Sequence, residues 1–196
     1  AEVGFYGYTP RPGDPFIFNF RNIPTCTMLT DIVTVLGSMV GARSNRAIGA
    51  LGAGQVDARG NLNSTKVPEY GLFLVGSGGA CDVALGAREV LVTVNQDRLR
   101  TPERVSYVTA PGERVRTLVT TMGVFEKPPG ESEFLLTACF PGLAPTAREA
   151  VEAVRAACGW ELRVAREIRE AREPTLDELY DVRIFDPRRY FLGEQA

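Results

Sequence analysis

Short apolar runs suited to strands alternate along this chain with capped helices, and this alternation constrains the architecture more than any other feature. The plainest strand is EVLVTV at 89–94, with the β-branched Val90, Val92 and Val94 at alternate positions. The plainest helix is 147–158. There Thr146 and Glu149 form a T-x-x-E capping box, Ala150, Val151, Val154 and Ala157 make one apolar face, and Gly159 ends the run. A second box, Thr175 with Glu178, opens a C-terminal helix that must stop before Pro187. The alternation of Phe16, Phe18 and Phe20 predicts a strand. AIGALGAG at 47–54 predicts a buried strand whose small residues allow close backbone packing. Further strands are expected at 70–75, 105–109, 115–121, 132–138 and 160–165. Helices are expected at 27–37, stopped by Gly37, and at 80–87. The charged stretch 161–173 reads as a solvated face or linker. Strands alternating with helices define an α/β fold, an open and mostly parallel sheet flanked by helices. A chain of 196 residues fits this as one domain over 1–196.

Composition narrows the chemistry. The chain has no histidine, which removes Ser-His-Asp and Cys-His catalysis within it. Chemistry must then rest on carboxylates, backbone donors, cysteine, lysine or a partner chain. A formal net charge of −2 offers no basic face for nucleic acid. No apolar run approaches the length of a membrane span. Cys26, Cys81, Cys139 and Cys158 are widely and irregularly spaced, which argues against a metal site and for a reduced, cytoplasmic setting. The chain opens at Ala1 rather than Met, as a fragment or processed product would.

Three segments could carry chemistry. Glu2-Val3-Gly4-Phe5-Tyr6-Gly7 sets a carboxylate among glycines, which permit close approach by a bulky substrate. By itself the pattern favours the plainer reading, a terminal glutamate before a Gly-rich loop. The segment from Gln55 through Asp57, Gly60, Asn61 and Asn63 is good turn chemistry. Gly76-Ser77-Gly78-Gly79-Ala80-Cys81-Asp82 lies between a strand and a helix, where backbone N–H groups can hold a phosphate or an oxyanion. It is neither a Walker A loop nor a dinucleotide fingerprint, and a plain strand-to-helix turn explains it as well. Cys81 has no histidine to activate it and reads as a small buried group.

Taken in order, these segments resemble the B-type half of family I coenzyme A transferases, its glutaconate-type members above all. Glu2-Val3-Gly4 resembles the family's E-x-G motif. Gly52 through Asn63 resembles its G-A-x-Q-[VI]-D-x-x-G-N-x-N signature. Gly76 through Asp82 resembles its G-x-G-G-A-x-D loop. Val108 through Gly112, Met122 through Glu126, Pro141-Gly142, and Pro174 through Pro187 extend the series almost to the chain's end. The resemblance implies Glu2 as nucleophile, Gly76, Gly78 and Gly79 as CoA or oxyanion contacts, and Gln55 and Asn61 as structural support. It implies acyl-CoA and a carboxylic acid as substrates, dicarboxylic acids included. No metal or resident cofactor is implied, CoA itself being substrate. An A-subunit partner is implied, in a heterotetramer or larger assembly. The family carries a segment before its glutamate that this chain lacks, which implies truncation at the N-terminus. Residues 5–40 match less well. Relatives on the same scaffold that hydrolyse or decarboxylate CoA esters, and a non-catalytic partner-binding subunit, are the competing readings.

Overall fold

The structure, a computed structural model, describes residues 3–16 and 18–191. The chain gathers into two compact units, residues 1–38 with 173–196, and residues 39–172. Strands β1 (Phe5–Tyr6) and β2 (Met28–Leu29) pair antiparallel in the first unit. The second unit carries β3 (Ile48–Gly52), β4 (Gln55–Val56), β5 (Leu62–Asn63), β6 (Lys66–Val67) and β7 (Leu72–Phe73). Helix α1 (Ala80–Gly86) leads to β8 (Glu89–Val94), β9 (Val115–Thr120), β10 (Gly123–Glu126) and β11 (Leu135–Cys139). Helix α2 (Ala147–Ala156) and β12 (Val164–Glu170) complete it. Helix α3 (Leu176–Phe185) belongs to the first unit.

Six strands form the central sheet in the order β12-β11-β10-β9-β8-β3. The pairs β3/β8, β8/β9 and β11/β12 are parallel, and only β10 runs against its neighbours. The mostly parallel α/β sheet is therefore present. Its core is apolar and closely packed, with Val92, Leu118, Phe125, Leu136 and Val154 all fully buried. Phe125 meets Trp160 edge-on at 6.1 Å, a geometry aromatic pairs favour. Helix α1 packs on β3 and β8. The small residues of β3 allow this: a Cβ on Gly49 would lie 2.5 Å from Val83 Cγ1. Both capping boxes form. Glu149 N donates to Thr146 Oγ1 at 3.2 Å, and Thr146 N donates back to Glu149 Oε2 at 3.1 Å. The Thr175–Glu178 box repeats this at the start of α3. Because α2 buries Ala150 and Val154, Thr146→Ala should lower stability by about 1 kcal/mol, read as an earlier urea midpoint at unchanged slope.

Several segments differ from expectation. The helix expected at 27–37 is absent as such. Met28 and Leu29 are taken by pairing with β1, and Asp31 accepts from Thr34 N at 2.9 Å to start a π-helical turn over Thr34–Val40 that runs through Gly37. The strand expected at Phe16–Phe20 is replaced by a 3₁₀ helix, Phe20–Thr25, because the Asn19 side chain accepts from Arg21 N and caps it; Ile17 lies outside the described residues. At 70–75 only Leu72–Phe73 is strand, since a 3₁₀ turn at Pro68–Tyr70 precedes a left-handed Gly71. Residues 105–109 form no strand; Thr109 N donates to Leu62 O at 2.8 Å, and the following Ala110 makes an isolated antiparallel bridge with Leu62 of β5. The charged stretch 161–173 holds β12. An edge strand has one neighbour and tolerates charge, and Arg169 pairs with Glu126 across β11 at 3.1 Å. The β9–β10 hairpin has no Asn-Gly or Asp-Gly signal. Thr120 Oγ1 builds its turn instead, accepting from Met122 N and Gly123 N at 3.1 Å each.

Candidate active site

Two hydrogen-bond networks organise the polar segment that follows β3. The first is centred on Asp57, only 2% exposed. Its Oδ1 accepts from Arg59 N and Asn61 N, both at 3.0 Å, and its Oδ2 accepts from Asn61 Nδ2 at 3.0 Å. Asn61 Oδ1 accepts from Gly112 N at 3.0 Å and ties the turn to the loop before β9. Gly112 must be glycine here, because a Cβ would stand 2.3 Å from the Gly60 carbonyl carbon. Lys127 closes this network from below. Its ammonium donates to Arg59 O at 2.7 Å and Gly112 O at 2.6 Å, and sits 5.2 Å from the Phe134 ring centre. Burial, then the neighbouring Arg116, pushes Lys127 down to about 8, while Asp57 and Glu113 act the other way.

The second network is centred on Asn63, which is wholly buried. Its Nδ2 donates to Gln55 Oε1 at 2.8 Å and Lys66 O at 2.7 Å, and its Oδ1 accepts from Thr65 N and Lys66 N. Gln55 Nε2 donates onward to Leu99 O at 2.8 Å. Thr65 O accepts from Leu74 N at 2.8 Å, and Leu74 leads into the glycine loop. Gln55 is thus coupled through Asn63 to the approach of that loop, whereas Asn61 belongs to the Asp57 network. The structure does not join these two sequence-marked residues directly. Asn63→Ala would orphan several buried groups, and we expect it to cost about 2–3 kcal/mol in chemical denaturation.

In the glycine loop, Gly76 and Gly78 are exposed, Gly78 is left-handed at φ 50°, and Gly79 is buried as the N-cap of α1. Among the described residues the amides of Gly76, Ser77, Gly78 and Gly79 have no protein acceptor. That leaves a run of backbone donors open to a ligand. Cys81 is half-buried on α1. Burial pushes the Cys139 and Cys158 thiols up, which keeps both in the unreactive form. Glu2 lies outside the described residues. Among the described residues no cluster of three metal-ligating side chains occurs, and no helix is long and apolar enough to cross a membrane.

Two cavities adjoin these networks. One, of about 520 Å3, is lined by Asp57, Arg59, Arg104, Glu133, Trp160 and Glu161 among others. The other, of about 350 Å3, lies at the C-terminal ends of β3, β8 and β9 and is lined by Gly52, Thr93, Asn95, Arg100 and Thr121 among others. Lys127 and Asn63 were not legible as site residues. Lys127 stands in no motif, and Asn63 was legible as the end of the Gly52–Asn63 signature but not as the centre of a network.

This sheet is the fold of the coenzyme A transferases. The chain superposes on glutaconate coenzyme A-transferase from Acidaminococcus fermentans with a TM-score of 0.82 at 22% identity, covering 98% of this chain and 80% of that one. It also superposes on the decarboxylase AibA/AibB with a TM-score of 0.73 at 22% identity, covering 96% and 76%. In sequence it is 30% identical over 159 residues to the B subunit of 3-oxoadipate CoA-transferase from Pseudomonas knackmussii, covering 72% of this chain and 59% of that protein. It is 28% identical over 215 aligned positions to the B subunit of glutaconate CoA-transferase from Acidaminococcus fermentans, covering 98% and 78%. No family model matches the chain. In fold and in sequence the chain is similar to the B subunits of the family I coenzyme A transferases. It spans 59% of the length of the 3-oxoadipate relative.

Proposed function

We propose that this chain, paired with an A subunit, transfers coenzyme A from an acyl-CoA to a carboxylic acid through a glutamyl-CoA thioester on Glu2. The observation that carries the reading is its sequence similarity to the B subunits of two CoA-transferases, in a chain that retains a glutamate in an E-x-G setting and has no histidine. A carboxylate is ionised at pH 7 and needs no general base. Its oxygen attacks the thioester carbonyl, the C–S bond breaks, CoA leaves as thiolate, and a mixed anhydride remains. The thiolate then attacks the glutamyl carbonyl of that anhydride. The C–O bond breaks, releasing the first acid and leaving the glutamyl-CoA thioester. The second acid takes up CoA by the reverse sequence.

The protein's part is orientation and stabilisation of the oxyanions. The unpaired amides of Gly76, Gly78 and Gly79 are the candidate donors for this, or for contacts to CoA. Gln55 supports that loop through Asn63, and Asn61 supports the neighbouring turn. The four cysteines are free, which suits a reducing compartment such as the cytoplasm. The test is trapping. The assembled heteromer, incubated with acyl-CoA and then hydroxylamine, should yield a hydroxamate at Glu2 by peptide mass mapping. Transfer of CoA without any such adduct would refute the covalent route. Release of free CoA or CO2 with no acceptor acid would instead favour the hydrolase or decarboxylase reading, and the latter has support in the fold shared with AibA/AibB.

A further inference from the structure

We propose that Arg100 is the residue that grips the second, non-reacting carboxylate of a dicarboxylic acid substrate, in the cavity at the C-terminal ends of β3, β8 and β9. The inference rests on the transferase reading for the identity of the ligand. Ligands of open α/β sheets bind outside the carboxyl ends of parallel strands, and this cavity is formed by the ends of three adjacent parallel strands. Its volume of about 350 Å3 suits a small acid.

Charge separates the two cavities. The 520 Å3 cavity has four carboxylates, Asp57, Glu103, Glu133 and Glu161, against two arginines, and so repels an anion. The strand-end cavity has one cation, Arg100, and no acidic side chain in its lining. The Asn95 side chain in that lining has no protein partner among the described residues, and Thr121 Oγ1 accepts from Gln96 N at 3.1 Å, which leaves its hydroxyl proton free to donate. A guanidinium with neutral amide and hydroxyl donors beside it is a carboxylate site.

The backbone that carries Arg100 is held from two sides. Asp97 Oδ1 accepts from Leu99 N at 2.9 Å and Arg100 N at 2.8 Å, and Thr101 Oγ1 donates to Asp97 O at 2.7 Å. Val56 N donates to Arg100 O at 2.8 Å, and Gln55 Nε2 donates to Leu99 O at 2.8 Å. Asp97 also meets the guanidinium at Nε, 3.3 Å away. One carboxylate there cannot saturate five N–H donors. Gln55, bonded to Leu99 O and to Asn63, links the Arg100 turn to the approach of the glycine loop.

The assembled heteromer provides the test, with glutarate and valerate as alternative acceptors. Arg100→Gln is expected to lower kcat/KM about 100-fold for glutarate, mainly through KM, and less than about 3-fold for valerate. Arg100→Lys should recover part of the loss, since it restores charge without the fork. In calorimetry, glutarate binding should be abolished by Arg100→Gln, and inorganic phosphate should not compete with it. Equal losses for both acids, glutarate binding unchanged in the variant, no glutarate binding by the wild type, or displacement by phosphate would each overturn the assignment. A heteromer that transfers no CoA to any acid would fail the transferase reading, while the calorimetric arm would still decide Arg100.

Discussion

Glu2→Gln should reduce CoA transfer by the assembled heteromer at least about 10⁴-fold while leaving the KM for acyl-CoA nearly unchanged. The substitution keeps the length and planarity of the side chain and removes only the charge and the nucleophilic oxygen. A neutral amide cannot displace CoA thiolate, so neither the anhydride nor the glutamyl thioester forms. With no histidine in the chain, no other side chain in it has a ready general base. The hydroxylamine adduct should vanish together with turnover. Cys81→Ser should retain near-normal turnover, which separates the carboxylate from the only cysteine beside the glycine loop. A Glu2→Gln heteromer with more than about one-tenth of normal turnover would remove Glu2 from the mechanism, because loss of a covalent nucleophile costs far more than that.

Lys127→Met should destabilise the second unit by about 2–4 kcal/mol in urea unfolding. The side chain is 5% exposed, and its ammonium is the donor to both Arg59 O and Gly112 O. Methionine fills similar space but leaves these two carbonyls without that donor. The turn held by Asp57 and the loop held by Asn61 would both lose an anchor. The pH dependence has a definite sign. Lys127 is held at about 8 in the fold and reverts to about 10.4 when unfolded. Between these values the unfolded chain binds more protons, so this group adds stability as pH rises. A neutral amine still has two N–H groups for the two carbonyls, so deprotonation relieves the cost of a buried charge without breaking either bond. The stability difference between wild type and Lys127→Met should therefore widen from pH 7.5 to pH 10. A difference that narrows over that range would show that the ammonium, and not the amine, is the better fit.

Sequence and tertiary structure divide the account of this protein unevenly. Elements whose signal is local were legible: the EVLVTV strand and the two T-x-x-E helix starts each follow from residues within a few positions of one another, whereas the strand expected to be buried at 47–54 forms as β3 but lies at the sheet edge with Ile48, Ala50 and Gly52 exposed. The strands expected at 16–20 and 70–75 were overridden locally, by the Asn19 cap and by the Pro68–Tyr70 turn, whereas in other misread elements a distant partner overrides local preference. Met28 and Leu29 pair with Phe5 and Tyr6, and the charged run at 164–170 becomes a strand only because β11 offers a free edge. The same division holds for the site. The glycine loop and the Gln-Val-Asp segment were marked by residue type alone. The roles of Lys127 and Arg100 were not, because each depends on carbonyls or open space supplied by parts of the chain far away in sequence. By itself the sequence determined the sheet's character, the lack of any histidine for chemistry in this chain and the likeness to CoA-transferase B subunits. Only the tertiary structure decided which polar side chains are spent holding turns and which remain free to meet a ligand, because hydrogen-bond satisfaction in a buried network is a property of the whole set of neighbours.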